Sequence, residues 1–345
     1  MKARIYTVTH KAFTPPPDPL YVPLQVGAAC PGRGDLGFLK DDSGENISEK
    51  NPFYSELTGM YWIWKNDRDS DILGLCHYRR YLLDRRGKLF TEKAVSEALR
   101  DYDAVTTKKV VLDHPYQEAF GGKHNPKDLV FLQEAVAARC PAYLPFYEKT
   151  AGGNETYFGN MLIVKRSLFM EYSAWLFDLL FTVEKQVDMT GYNDYQKRLY
   201  GFLSELLLMV YLRYHGCRVL ECGVAVIGGK KETEEAVAVI AAYFKQQDLD
   251  AAGQYYMELY RRRPDVLMEA SDTEGKLKLI TQMLSVFYAE REKTGHCYLE
   301  RQPEMEVLLK EFADLNEAVH CKKKVIDTPL SEIAVEIAET LARAQ

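Results

Sequence analysis

Two periods alternate along the chain. Short β-branched and aromatic runs, ARIYTVTH (3–10), DILGLCHY (71–78), YDAVTTKK (102–109) and CRVLECGVAVIG (217–228), have the make-up of strands. Between them the apolar positions fall at helical spacing. Leu57, Met60, Tyr61 and Trp64 share one face of a helix beginning near Ser55. Further helices are predicted over Glu92–Leu99, from Pro126 onward, and over YGFLSELLLMVYLRYHG, which Gly216 would close. A strand over Tyr157–Val164 is predicted to run into an amphipathic helix. TPPPDP (14–19) starts a long loop, and residues 41–56 are polar and turn-rich.

Strands alternating with helices predict an α/β domain with a largely parallel sheet. The pattern changes after GGKKETEE (228–235), beyond which only helical spacing remains. The expected organisation is a domain over 1–231 and an all-α region over 232–345. EEAVAVIAAYFKQQ and DLDAAGQYYMELYRRRPDV have the layout of one tetratricopeptide-like helix pair, too few for an array.

With 345 residues, 47% hydrophobic and 27% charged, the chain has globular values. A formal charge of −6 argues against nucleic-acid binding by net attraction, while leaving room for a local basic pocket that takes a small anion. The seven cysteines are scattered without zinc-type pairs, and the expectation is reduced, mostly buried thiols. MKARIYTVTHKAF holds no apolar run of signal-peptide length, and no stretch has membrane-span length. The expected location is the cytoplasm, in solution or against the inner face of the membrane, with the oligomeric state open. LYRRRPDV and HCKKKV offer short basic patches for peripheral contact with anionic lipid, ordinary solvated turns being the plainer reading.

Ligands of open α/β sheets bind beyond the carboxyl ends of the strands. Three such ends carry chemistry: Thr9-His10-Lys11, His77-Tyr78-Arg79-Arg80 and Lys108-Lys109. Cations converging there would suit a diphosphate, arginine binding its oxygens in a bidentate fork. The competing reading pairs Arg79 and Arg80 with nearby aspartates. Asp67, Asp69 and Asp71 in NDRDSD mimic the Asp-x-Asp metal motif, but they precede a strand rather than follow one, and so read as solvated turn acids. No P-loop, dinucleotide fingerprint, zinc helix or nucleophile elbow occurs.

DDSGENISEKNPFYSELTGMYWIWKN, ILGLCHYRRYL, YFGNMLIVKRSLFMEYSAWLF and YGFLSELLLMVYL resemble a bacterial family of capsular and exopolysaccharide synthesis, long carried as a domain of unknown function. Its members are regarded as GT-A-type glycosyltransferases, and the resemblance spans roughly residues 3–228. It implies a GT-A-like, Rossmann-type mixed sheet flanked by helices. It also implies transfer of a sugar from a nucleotide donor, by family habit UDP-linked with galactose in pyranose or furanose form, to a glycan or lipid-linked acceptor.

On that resemblance Thr7, Thr9 and His10 line the nucleotide pocket, Glu56 with Lys65 and Asn66 flanks base and ribose, and His77, Tyr78, Arg79 and Arg80 stand where metal-using relatives keep Asp-x-Asp. The expected chemistry is metal-independent, His77 and an arginine neutralising the leaving diphosphate, with a divalent magnesium or manganese ion as the alternative. Gly159 and Asn160 would meet the sugar, with His124 near acceptor or phosphate.

Glu205 is the candidate general base, because an acid enters an otherwise apolar helix there. Asp194 is the runner-up, and a structural pairing of Arg198 with Glu205 is the alternative. Two other classes remain open: a non-catalytic nucleotide-sugar or glycan-binding module, and a scaffold whose helical tail recruits partners.

Overall fold

The computed structural model describes residues 2–267, 271–302, 304–321 and 328–343. The period-two runs become strands: β1 (Ala3–Thr9), β2 (Tyr21–Gln25), β3 (Leu39–Lys40), β4 (Ile72–His77), β5 (Arg80–Leu82) and β6 (Ala104–Thr107). They continue with β7 (Val110–Val111), β8 (Glu155–Thr156), β9 (Leu162–Lys165), β10 (Val219–Cys222) and β11 (Val224–Val226). The main sheet runs β10-β6-β9-β4-β1-β2-β3. Within that order β9 is antiparallel to both neighbours and every other pairing is parallel. β5 folds back antiparallel from β4 and pairs with β11, while β7 and β8 form a separate ribbon.

The helices of this part are α1 (Asn51–Tyr54), α2 (Leu57–Asn66), α3 (Glu92–Asp101), α4 (Tyr116–Gly121), α5 (Lys127–Arg139), α6 (Leu144–Ala151), α7 (Arg166–Glu184) and α8 (Leu199–Tyr214). Strand alternation sorts the two faces of the sheet. Tyr6, Val8, Leu73, Leu75, Leu162 and Val164 join the core containing α2, α7 and α8. Ile5, Ile72, Cys76, Val105 and Ile163 face the other way, onto Val95 and Leu99 of α3. Thirteen of the sixteen residues of α8 are buried, so it is a core helix, and any polar group on it needs a partner.

Two sequence expectations fail here. The strand predicted from Tyr157 begins only at Leu162, because Gly159 (φ 90°) and Asn160 (φ 51°) take left-handed backbone conformations that a strand cannot contain. Asp67 is no solvated turn acid. Its side chain is fully buried at the amino end of β4, accepting from Arg166 at 2.5 Å, Tyr6 at 2.7 Å, Ser70 at 2.7 Å and Arg4 at 3.1 Å. Burial pushes its carboxyl up, but these hydrogen bonds outweigh burial and hold it well below the usual carboxylate range.

The chain divides into two units at Ile227 and Gly228. The second consists of α9 (Lys231–Lys245), α10 (Leu249–Arg262), α11 (Lys276–Thr294), α12 (Met305–His320) and α13 (Glu332–Arg343). Ile240, Phe244, Leu249, Ile280, Met283, Phe287, Leu308 and Phe312 build its core. Of the basic patch in LYRRRPDV, Arg263 is spent on the buried Asp265, which Lys230 also holds, and Arg262 pairs with Glu258. Lys322–Val325 of the HCKKKV patch lie outside the described residues. Among the described residues no helix is long and apolar enough to cross a membrane.

Candidate active site at the carboxyl edge of β4

β4 ends at His77, and a two-residue turn of Tyr78 and Arg79 returns the chain as β5 at Arg80. His77 lies on the same sheet face as Leu73 and Leu75, which points it toward α8. Its Nε2 is 2.6 Å from the carbonyl of Gly159. A carbonyl only accepts, so Nε2 carries a proton and the neutral ring keeps its lone pair on Nδ1. Burial lowers the imidazole pKa against the opposing pull of Glu56. His77 is thus neutral, not the fixed cation expected from the sequence, until an anion arrives.

The left-handed pair Gly159-Asn160 knits the cluster together. The Gly159 amide donates to Oε1 of Glu205 at 2.6 Å. Asn160 Nδ2 donates to Glu56 Oε1 at 2.5 Å and to the Gly201 carbonyl at 3.0 Å. Ser204 Oγ lies 2.8 Å from Asn160 Oδ1 and 2.7 Å from the same Gly201 carbonyl. Gly201 faces Ser55, where a Cβ would meet its side chain in ordinary van der Waals contact at 3.5 Å. Arg198 donates from Nε to Ser55 Oγ at 3.3 Å, its guanidinium 5.5 Å from the Phe202 ring.

Burial pushes the Glu205 carboxyl up to about 8, against the Gly159 hydrogen bond, with Glu56 pushing the same way and Arg198 and Arg80 opposing. Burial, then Arg79, works against the charge of Arg80, while Glu205 and Glu56 support it. Neither Arg79 nor Arg80 has an ion pair within 4.0 Å among the described residues, so the competing aspartate pairing is absent. Arg80 is therefore a half-buried cation held by fields rather than by a partner. Arg79 instead lies 6.0 Å from the Tyr78 ring, and Tyr78 meets His10 and Phe13 edge-on at 5.8 and 5.9 Å.

Several expected site residues lie elsewhere. Thr7 and Thr9 share the sheet face of Ile5, opposite to His77; both are buried, Thr7 against Cys76 Sγ and Thr9 on the backbone of Lys11. His10 is exposed at the carboxyl edge beside Tyr78. Lys65 and Asn66 end α2, roughly 13 Å of helix rise from Glu56. They are spent on Glu45 at 2.9 Å each, so they do not join the cluster.

Asn160 has both ends of its amide occupied and is 2% exposed, which leaves nothing for a sugar hydroxyl. His124 is stacked among Phe120, Tyr195 and Phe202 at 4.4–5.1 Å, and burial, then Lys123 and Arg198, lowers it to about 4. It packs on Phe202 near the start of α8, with Nδ1 buried and without a hydrogen bond from the described residues. Asp194 is exposed, 3.5 Å from Lys197. Lys109 is paired with Glu155 at 3.1 Å.

Sequence reasoning missed Ser55 and Ser204. Ser204 carried the same signal as Glu205, a polar residue inside an apolar helix. Among the described residues no three His, Cys, Asp or Glu side chains converge as a metal site. The acids of NDRDSD stand at the amino edge, away from His77.

A family model described as a domain of unknown function (DUF4422) matches residues 4–216. No curated protein matches the chain. A solved structure described as the WbbM bifunctional glycosyltransferase, apo form, is similar at 28% identity and a TM-score of 0.57. That likeness covers 66% of this chain and 46% of the other, so the chain spans about half the length of that protein.

Proposed function

This chain belongs to the DUF4422 family, and from that premise we propose that it is a glycosyltransferase, moving a sugar from a nucleotide-sugar donor to a glycan or lipid-linked acceptor. The donor is UDP-linked, with galactose in pyranose or furanose form the first choice, and the setting is capsule or exopolysaccharide synthesis. The observation that carries the reading is the cluster at the carboxyl edge of β4: an unpaired half-buried arginine, an imidazole and two carboxylates in contact through one turn. Likeness to a glycosyltransferase structure supports it.

Departure of a nucleoside diphosphate builds negative charge that the site must neutralise. Arg80 supplies a permanent cation there. His77 supplies a second once the diphosphate field raises its pKa, and Arg198 flanks the same space. The proposed chemistry needs no divalent metal.

Thermal unfolding against a panel of nucleotide sugars, with EDTA or manganese, tests this. A rise in melting temperature with one UDP-sugar, undiminished by EDTA, and transfer to a saccharide acceptor are expected. Replacing Arg80 by Met should weaken UDP binding about 10–100-fold, the worth of one charge-assisted hydrogen bond. Binding without any release of free nucleotide would leave a non-catalytic binding module; strict dependence on manganese would refute the metal-free mechanism.

A further inference from the structure

We infer that Glu56 is the carboxylate that takes the proton of the acceptor hydroxyl, with Asn160 as its positioning residue and Glu205 a neutral partner of Gly159. The assignment rests on the glycosyl-transfer reading above. Access separates the two carboxylates. Burial does the separating: Glu205 is 9% exposed, with Oε1 on the Gly159 amide and, as in Glu56, no hydrogen bond to Oε2 from the described residues. Glu56 is half-buried at the start of α2, with Oε1 fixed on Asn160 and no hydrogen bond to Oε2 from the described residues. A base must come within hydrogen-bond reach of the hydroxyl it serves, and Glu56 offers such an oxygen.

The orientation of Asn160 is determined by its neighbours. Nδ2 faces two groups that only accept, Glu56 Oε1 and the Gly201 carbonyl, while Oδ1 receives the Ser204 hydroxyl. Turning the amide over would set its oxygen against both acceptors. Ser204 therefore locks Asn160, and Asn160 locks Glu56, which is the arrangement of a base held by a third group. The raised pKa of Glu205 agrees: a carboxyl protonated at neutral pH takes no further proton. Glu56 is faced by His77 from β4, Arg80 from β5 and Glu205 from α8, with Arg198 on the neighbouring Ser55.

In the step itself, the acceptor O–H proton passes to Glu56 Oε2 while the acceptor oxygen bonds to the anomeric carbon. The bond from that carbon to the diphosphate oxygen breaks, and its electron pair leaves on the nucleoside diphosphate, against Arg80.

The test compares Glu56→Gln, Glu205→Gln, Asn160→Gly and Ser204→Ala in transfer from UDP-galactose to a galactose-terminated oligosaccharide, with UDP-galactose binding measured by calorimetry. Glycine is chosen at 160 because it takes φ 51° without strain. Glu56→Gln should lower kcat by about 10²–10⁴ with donor affinity within about threefold. Glu205→Gln, which keeps an oxygen for the Gly159 amide, should lose at least about tenfold less kcat than Glu56→Gln.

Asn160→Gly should lose about tenfold or more in kcat, Ser204→Ala less. Combining Asn160→Gly with Glu56→Gln should cost nothing beyond Glu56→Gln alone, as expected of a residue acting through another. Wild-type turnover in Glu56→Gln, loss in Glu205→Gln as deep as in Glu56→Gln, or additive losses in the double variant would each overturn the assignment while leaving glycosyl transfer standing. A wild-type chain that neither binds nor turns over any nucleotide sugar would overturn both.

Discussion

Replacing Glu205 by Gln should stabilise the first unit, and by an amount set by pH. In the folded chain burial pushes this carboxyl up to about 8, whereas in the unfolded chain it titrates near 4.5. The folded state therefore holds a proton that the unfolded state releases between those two values. Below about pH 4.5 both states are protonated, and Glu205 costs nothing relative to the uncharged isostere. As pH rises toward 8 the unfolded chain gains by ionising and the folded chain does not, so stability drains away across that window. At about 1.4 kcal/mol per pH unit, the full difference is on the order of 5 kcal/mol, and about 3 kcal/mol is already present at pH 7.

Total stabilities of domains are only about 5–15 kcal/mol, so the effect is large on that scale. Gln keeps an oxygen for the Gly159 amide, so packing and that hydrogen bond survive the exchange. The assay is urea unfolding followed by tryptophan fluorescence at pH 5 and pH 8.5. The three tryptophans, Trp62, Trp64 and Trp175, all lie in the first unit, so the signal reports that unit. The variant and wild type should nearly coincide at pH 5, with the variant well ahead at pH 8.5. Equal midpoints at both pH values, or a variant weaker at pH 8.5, would refute a buried, proton-holding Glu205.

Two further outcomes follow from the same contacts. Free His77 is neutral because burial lowers its pKa, and a bound diphosphate must raise it, so UDP binding should take up a proton and tighten as pH falls from 8 to 6. Calorimetry at pH 6–7, where Glu205 already holds its proton, in two buffers of different ionisation enthalpy measures that uptake, and His77→Gln should remove most of it. Asp67→Asn should destabilise the first unit by about 3–5 kcal/mol, since Arg4 and Arg166 lose a buried countercharge, while leaving UDP affinity unchanged. Denaturant midpoints and a UDP titration of the same sample check both halves.

Much of this architecture was legible because hydrophobic period is a local property. β1, β4, β6, α7 and α8 all stand where their spacing puts them, and Gly216 closes α8 with φ 59° as a helix-ending glycine does. Glu205 was legible as an acid stranded in an apolar helix, though not its protonation, which burial sets with help from Glu56 and against the Gly159 amide, Arg198 and Arg80, groups that come from other segments. Thr7 and Thr9 needed only the two-residue alternation followed to the strand end to be placed on the far face. Asn160 was misread because its apolar neighbours resemble a strand; two consecutive positive φ angles leave no periodic trace. Asp67 was unreadable from its neighbourhood, since Tyr6 and Arg166 lie 61 and 99 residues away in sequence.

The short strand β11 has a bearing on how the chain is handled. Val226 lies opposite Arg80, and the next amide, Ile227, donates to the carbonyl of Arg79. The backbone that presents the cations is thus clipped in place by the last few residues of the first unit. A polypeptide ended after Gly216, where the family match stops, would retain each side chain of the cluster yet release the turn that aims Arg80. Trimming for crystallisation or expression is therefore better made beyond Ile227.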